Sequence, residues 1–199
     1  MNNTAVRFID RHVEASLGSK RAFEFNGKPY SYHDLAALAN RAGNMLKGLG
    51  IAPGARVAML LPESPAYFAT LIGAMKVGAV PVVVIEPQRF AAAAAGAALA
   101  VVHSKFLEEA SSPLPAEKTV VVGEAAGGHP SFVELMRAQP SSLAAHDVSP
   151  EATALVVDAT TFSHRGIESE LAKGPQGSLG RVGALLRALD AADTAVLSS

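Results

Sequence analysis

At 199 residues the chain is long enough for one domain whose core needs no disulfide or metal staple. Hydrophobic residues make up 49% and charged residues 18%, a globular balance that excludes intrinsic disorder. The net charge is -1 with no basic or acidic block, and there is no cysteine; this removes the electrostatic case for nucleic acid or an anionic membrane, and with it disulfides, thiolate catalysis and zinc–thiolate sites.

The first seventeen residues carry Arg7, Asp10, Arg11 and Glu14 and no uninterrupted apolar run, so no secretory leader is read there. Together with the lack of cysteine this leads to an expected cytoplasmic location. Val6, Phe8, Ile9, Val13 and Leu17 recur at roughly helical spacing. Ala22 to Phe25 alternates, Asn26-Gly27 is a tight-turn pair, and the chain resumes at Pro29, which reads as a β-hairpin. Ser31 and Asp34 form a capping box for a helix whose apolar face is Leu35, Leu38, Ala42, Met45 and Leu49, stopped by Gly50.

Arg56 to Leu61 is a short apolar run of the kind that a strand covered on both faces shows. Ser64-Pro65 starts a helix ending at Gly78. Val80 to Ile85 is a strand, Arg89 to Ala97 a helix, and Leu99 to His103 a strand. Thr119 to Val122 and Ala154 to Asp158 are further strands, with a short helix at Ser131 to Ala138 between them. The apolar stretch Phe90 to Val102, at 13 residues, is too short to span a bilayer. Residues 138–150 and 173–180 read as surface loops, Arg181 to Ala191 as a helix, and Thr194 to Leu197 as a final strand.

Buried strands alternating with helices give an α/β fold with a mostly parallel sheet flanked by helices, and an N-terminal β-hairpin at an edge. The α/β domain is expected over 1–172. Residues 173–199 are expected to add a loop, a helix and a final strand packed on it.

Few residues offer chemistry on their own. The six histidines (His12, His33, His103, His129, His146 and His164) show no i+3 or i+4 pairing, so no metal site is read. Each is expected at the surface or in a local hydrogen bond. Gly123 to Gly128 lacks the G-x-G-x-x-G spacing and reads as a loop. No G-x-S-x-G nucleophile elbow occurs. Asp158 ends a strand where α/β folds place ligands, and is the one carboxylate singled out for binding.

The segment Lys28 to Val82 carries, in order, a Tyr-x-x-Leu helix, Leu-Gly-Ile followed by Pro-Gly, a Val-rich strand, and a helix ending in Gly-Ala-Val-Pro-Val. It resembles the N-terminal part of the adenylate-forming acyl- and aryl-CoA synthetases, and is most similar to their benzoate-CoA ligase-like branch. Weaker similarity runs on to about Asp158. The resemblance implies a two-step reaction in which a carboxylate attacks the α-phosphate of ATP and CoA then displaces AMP. It also implies a Gly-, Ser- and Thr-rich loop ending in lysine to cradle the phosphates.

That loop belongs after a strand like Ala154 to Asp158 and before a Ser-His segment. Here Asp158 runs through Ala159, Thr160, Thr161 and Phe162 straight into Ser163-His164-Arg165, with no glycine between Gly128 and Gly166 and no lysine between Lys118 and Lys173. Thr160, Thr161, Ser163 and His164 are therefore the candidate remnant of a nucleotide site, set against a plain hairpin left by a deletion. Residues 180–197 resemble a later family stretch, without the Pro-x-x-His segment that should precede it. The later nucleotide-binding motifs and the small domain with the catalytic lysine are not found. The resemblance leaves ATP, AMP or CoA as possible ligands. It leads to an expected ligand- or partner-binding pseudoenzyme with an exposed apolar surface, and hence a homo-oligomer or a partner protein. The alternative is an active acyl- or aryl-CoA ligase completed by a second polypeptide.

Overall fold

The computed structural model describes residues 2–196. Strands β1 (Arg21–Phe25) and β2 (Lys28–Ser31) form the hairpin, turned by Asn26 and Gly27, both at positive φ. Helix α1 (Tyr32–Gly48) begins at the expected capping box. Ser31 Oγ accepts from Asp34 N at 3.2 Å, and Asp34 Oδ2 accepts from Ser31 N at 2.8 Å. The Ser31 hydrogen bonds hold the Asp34 carboxyl below the usual carboxylate range.

Strand β3 (Arg56–Leu60), helix α2 (Pro65–Lys76) and strand β4 (Val80–Val83) follow, with Ser64 capping α2. Helix α3 (Phe90–Ala94) is shorter than expected because Ala95 leaves helical geometry and Gly96 turns at positive φ. Next come β5 (Leu99–His103), the single turn α4 (Leu107–Ala110), β6 (Thr119–Val122), α5 (Phe132–Arg137) and β7 (Thr153–Val157). Strand β8 (Thr160–Ser163), helices α6 (His164–Ala172) and α7 (Gly180–Asp190), and strand β9 (Ala195–Val196) follow among the described residues. The expected last strand thus includes Ala195 and Val196; Leu197 lies outside the described residues.

The main sheet has the order β6-β5-β3-β4-β7-β8. Its first five strands are parallel and β8 is antiparallel to β7. Alternation along each strand sends Val57, Met59, Val101, Val120 and Leu155 into the large core under α1 and α2. Ala58, Leu60, Val82, Ala100 and Val156 face the other way, against Phe90 and Ala94 of α3. Helices α1 and α2 touch at Gly73, where an added Cβ would lie 2.7 Å from Ala39 O and 2.9 Å from Gly43 N. Both are backbone atoms that cannot give way, so the crossing requires glycine.

The hairpin does not extend this sheet. It forms a second sheet, β2-β1-β9, in which β9 runs parallel to β1 with Phe23 opposite Ala195. The separation follows from Phe23, which is fully buried, stacked on Tyr30 at 4.5 Å and tilted against Phe68 of α2 at 5.0 Å.

Residues 138–150 have no regular structure but are fixed as a strap. Asn40 Nδ2 donates to Ser141 O at 2.8 Å, Asn44 Nδ2 donates to Pro140 O and Ser142 O, and His146 N donates to Lys76 O. The N-terminal segment is helical from Thr4 to Glu14, with a wide π turn at Val6–Asp10, and kinks at Ala15 and Ser16, the latter at φ 63°. It buries Ala5, Phe8 and Ile9.

Two histidines depart from expectation. His12 and His164 are both buried, because the N-terminal segment packs across α6, α7 and α1 and encloses them. Among the described residues no helix is long and apolar enough to cross a membrane. Nor do three or more His, Cys, Asp or Glu residues cluster as metal ligands there.

Candidate functional site

Strand β7 ends at Val157, and the chain reverses through Asp158 and Ala159 alone before β8 returns alongside it, Val157 opposite Thr160. Both turn residues are left-handed, Asp158 at φ 43° and Ala159 at φ 71°. This is the two-residue hairpin geometry that favours Asp-Gly or Asn-Gly. Alanine adopts it at a cost of about 1–2 kcal/mol. Ala159→Gly is accordingly expected to stabilise the chain by about 0.5–1 kcal/mol net of glycine's greater freedom when unfolded, read as a higher urea midpoint. An unchanged or lower midpoint would mean that the turn is not strained.

Of the five singled-out residues, Asp158 stands at one end of β8 and Ser163 and His164 at the other, on the order of 13 Å apart for four extended residues. At the turn end, Asp158 N donates to Val83 O at 3.3 Å. Its side chain stands on the rim of a cavity of about 410 Å³, floored by Val82, Val84 and Val156, walled by Ala92 and Ala93, and flanked by Arg56 and Arg89. Arg89 is paired with Glu86 at 2.7 Å. Thr160 and Thr161 lie between the two ends, exposed along the edge strand opposite Val157 and Val156.

At the other end, Ser163 is the N-cap of α6, its Oγ accepting from Gly166 N at 3.0 Å. The remaining leading N–H groups of that helix are also engaged: His164 N donates to Ala152 O at 3.2 Å and Arg165 N to Pro150 O at 2.9 Å. His164 turns inward, its Nδ1 2.6 Å from Thr4 Oγ1. Burial pushes the His164 ring below its ordinary pKa, against a smaller opposing pull from Glu168. His164 and Thr4 open on a second cavity, of about 570 Å³, lined also by Arg7, Arg165 and Glu168.

Sequence reasoning did not find Thr4, Arg7, Arg56 or Arg89. Each reaches its site from a distant part of the chain, and none belongs to a local motif that would mark it.

The AMP-binding enzyme family model matches residues 9–157, ending at the last residue of β7. Acetyl-coenzyme A synthetase of Gemmatimonas aurantiaca is 38% identical over 87 residues, 41% of this chain and 13% of that protein. The 4-hydroxybenzoate–CoA/benzoate–CoA ligase of Rhodopseudomonas palustris is 32% identical over 132 residues, 62% of this chain and 24% of that protein. The solved benzoate CoA ligase from Burkholderia xenovorans LB400 superimposes with a TM-score of 0.80 at 20% identity, over 98% of this chain and 45% of that one. The chain therefore spans less than half the length of each of these relatives. With the family model covering three quarters of it, the chain belongs to the AMP-binding enzyme family.

Proposed function

We propose that this chain is an acyl-CoA synthetase-like domain that does not form adenylates by itself and acts by binding a small ligand or a partner protein. The observation that supports this reading is the two-residue turn at Asp158-Ala159, which joins β7 to β8 where the resemblance calls for a phosphate loop. A phosphate cradle needs free backbone N–H groups, glycines that let the backbone approach, and a cation. Here the leading N–H groups of α6 are bonded within the protein, and glycine and lysine are both missing from 129–165. The residues present do not fit an ATP phosphate chain, so no adenylation step is drawn through them.

The binding half of the proposal is supported by the cavity beside Asp158, lined by Val82, Val84 and Val156 with Arg56 and the Glu86-paired Arg89 beside them. ATP–pyrophosphate exchange, run on the purified chain with a panel of aryl and fatty acids, is expected to stay at the background rate. Robust exchange would overturn the non-adenylating reading and favour a ligase. Exchange that appears only when a second polypeptide supplying the loop is added would favour the completed-enzyme alternative. Calorimetric titration with ATP, AMP and acyl-CoA separates nucleotide binding from partner binding: a flat response to all three removes the nucleotide and CoA reading.

A further inference from the structure

The segment from Asn2 to Leu17 is fastened over its first part, Asn3 to His12, while Glu14 to Leu17 are exposed. Asn3 Nδ2 donates to Met75 O at 2.7 Å, Asp10 pairs with Lys76 at 2.7 Å, and Arg7 and Arg11 both bond Asp190 at the end of α7. Two further fastenings are the buried histidines, and each position favours a neutral ring.

For His164 the reason is geometric. Its Nδ1 lies 3.2 Å from Thr4 N and 2.6 Å from Thr4 Oγ1; the backbone N–H can only donate, so the ring keeps both contacts only while Nδ1 is bare and accepts. A second proton on the ring would set N–H against the Thr4 N–H and break that bond, leaving Nδ1 to the Thr4 hydroxyl alone in a buried position. For His12 the reason is burial. Its ring is tilted on Tyr32 at 4.7 Å, and its Nε2 is buried without a hydrogen-bond partner. Protonation there would bury a charged N–H with no acceptor.

The neighbouring charges do not reverse this. Around His12, burial acts first and Arg11 and Lys20 add to it, while the Leu189 carbonyl and Asp190 oppose. The Leu189 carbonyl already accepts from the Tyr32 hydroxyl at 2.8 Å, and Asp193 is the other acid near Tyr32. Around His164, Glu168 opposes burial, and Arg7, Arg11, Glu14 and Arg165 line the adjoining cavity.

We propose that residues 2–17 form an acid-released clasp, in which protonation of His12 and His164 detaches this segment from α2, α6 and α7 while the six-stranded sheet stays folded. Both rings are lowered in the folded state. Their stabilising contribution is therefore complete above the ordinary histidine value of about 6.5, and is lost as pH falls through that value toward the lower folded ones. Asp190 belongs to a different window. Burial works against its charge, but the Arg7 hydrogen bond and charge hold its carboxyl below the usual range, so its contribution is lost only in stronger acid. His103 is an internal control. Burial lowers it too, but it sits at the end of β5 with its Nδ1 accepting from Lys105 N, away from the clasp.

Release would uncover Phe8 and Ile9 and leave Lys76 without Asp10. Hydrogen exchange read by mass spectrometry, corrected for intrinsic rates and run at about pH 7.5 and about pH 5, tests this. Protection over residues 2–17 is expected to fall by about tenfold or more, with α2 and β3 unchanged, since each histidine contributes up to about tenfold per pH unit in its window. Unchanged protection of the segment overturns the proposal, as does an equal loss in β3, which would mean global unfolding. The double variant His12→Phe/His164→Asn, whose amide oxygen still accepts from Thr4 N, is expected to keep its protection at the lower pH. A persisting loss overturns the assignment to these histidines. If that variant does not fold, NMR titration of the wild-type imidazoles decides: midpoints for His12 and His164 that do not coincide with segment release overturn it.

Discussion

Asp10→Ala is expected to lower the unfolding free energy by about 3 kcal/mol, the lower end of what breaking a buried ion pair costs. Lys76 is 3% exposed and its ammonium meets Asp10 at 2.7 Å. It stands in the last turn of α2, where the C-terminal end of the helix dipole favours a cation. Removing the carboxylate leaves a buried charge facing that dipole alone. The value stays at the lower end because Lys76 borders a cavity of about 600 Å³ that admits water once Asp10 shrinks. Adding Lys76→Met to Asp10→Ala is expected to recover most of the loss, since two apolar groups need no partner. Urea denaturation of the wild type, both single variants and the double variant supplies the cycle. A loss below about 1 kcal/mol in the first variant would mean that Lys76 reaches solvent without help.

Phe23→Ala is expected to cost about 3–5 kcal/mol, the range for emptying a fully buried aromatic site. The ring is enclosed by Tyr30 on its own hairpin and Phe68 on α2, and it is the contact that seats the small sheet against the helices of the large one. Its backbone also pairs with Ala195, so the cavity sits where the last strand docks. Relaxation into the cavity is limited because Tyr30 is held in register opposite Phe23. Phe23→Leu refills most of the volume and is expected to recover more than half of the loss. A cost for Phe23→Ala under about 1.5 kcal/mol, measured by the same denaturation, would show that the two sheets are not coupled through this ring.

Most of the fold was legible because its signals are local. The capping box at Ser31 and Asp34, the Ser64-Pro65 start and the valine runs of β3 to β7 each lie within a few residues of the structure they specify. Helix α6 was not anticipated. Gly166 weakens its first turn, and its only signals are the Ser163 cap and the Ile167–Leu171 pair that reaches the core. The second sheet was not legible either, since β1 finds β9 across the whole chain and nothing in Arg21–Phe25 names that partner.

The candidate site divides in the same way. The absence of a phosphate loop was visible as a gap in residue types, and Asp158-Ala159 now appears as the turn that fills it. The burial of His164 was not visible, because it is produced by Thr4, 160 residues earlier. His12 is buried by Tyr32 and the end of α7, which are equally remote from any motif around it.

The pairing of β1 with β9 bears on the order in which the molecule assembles. All six strands of the large sheet are available once the chain has been made as far as Ser163, and their neighbours are mostly close in sequence. Phe23 and Glu24, by contrast, wait for Ala195 and Val196. A contact closing so long a loop forms late, because the chain entropy is lost before the contact is gained. During synthesis, which proceeds from the N-terminus, the hairpin therefore presents an unfilled edge until Ala195 and Val196 have been made. Its first residues emerge early, yet they reach their final place only with the last strand.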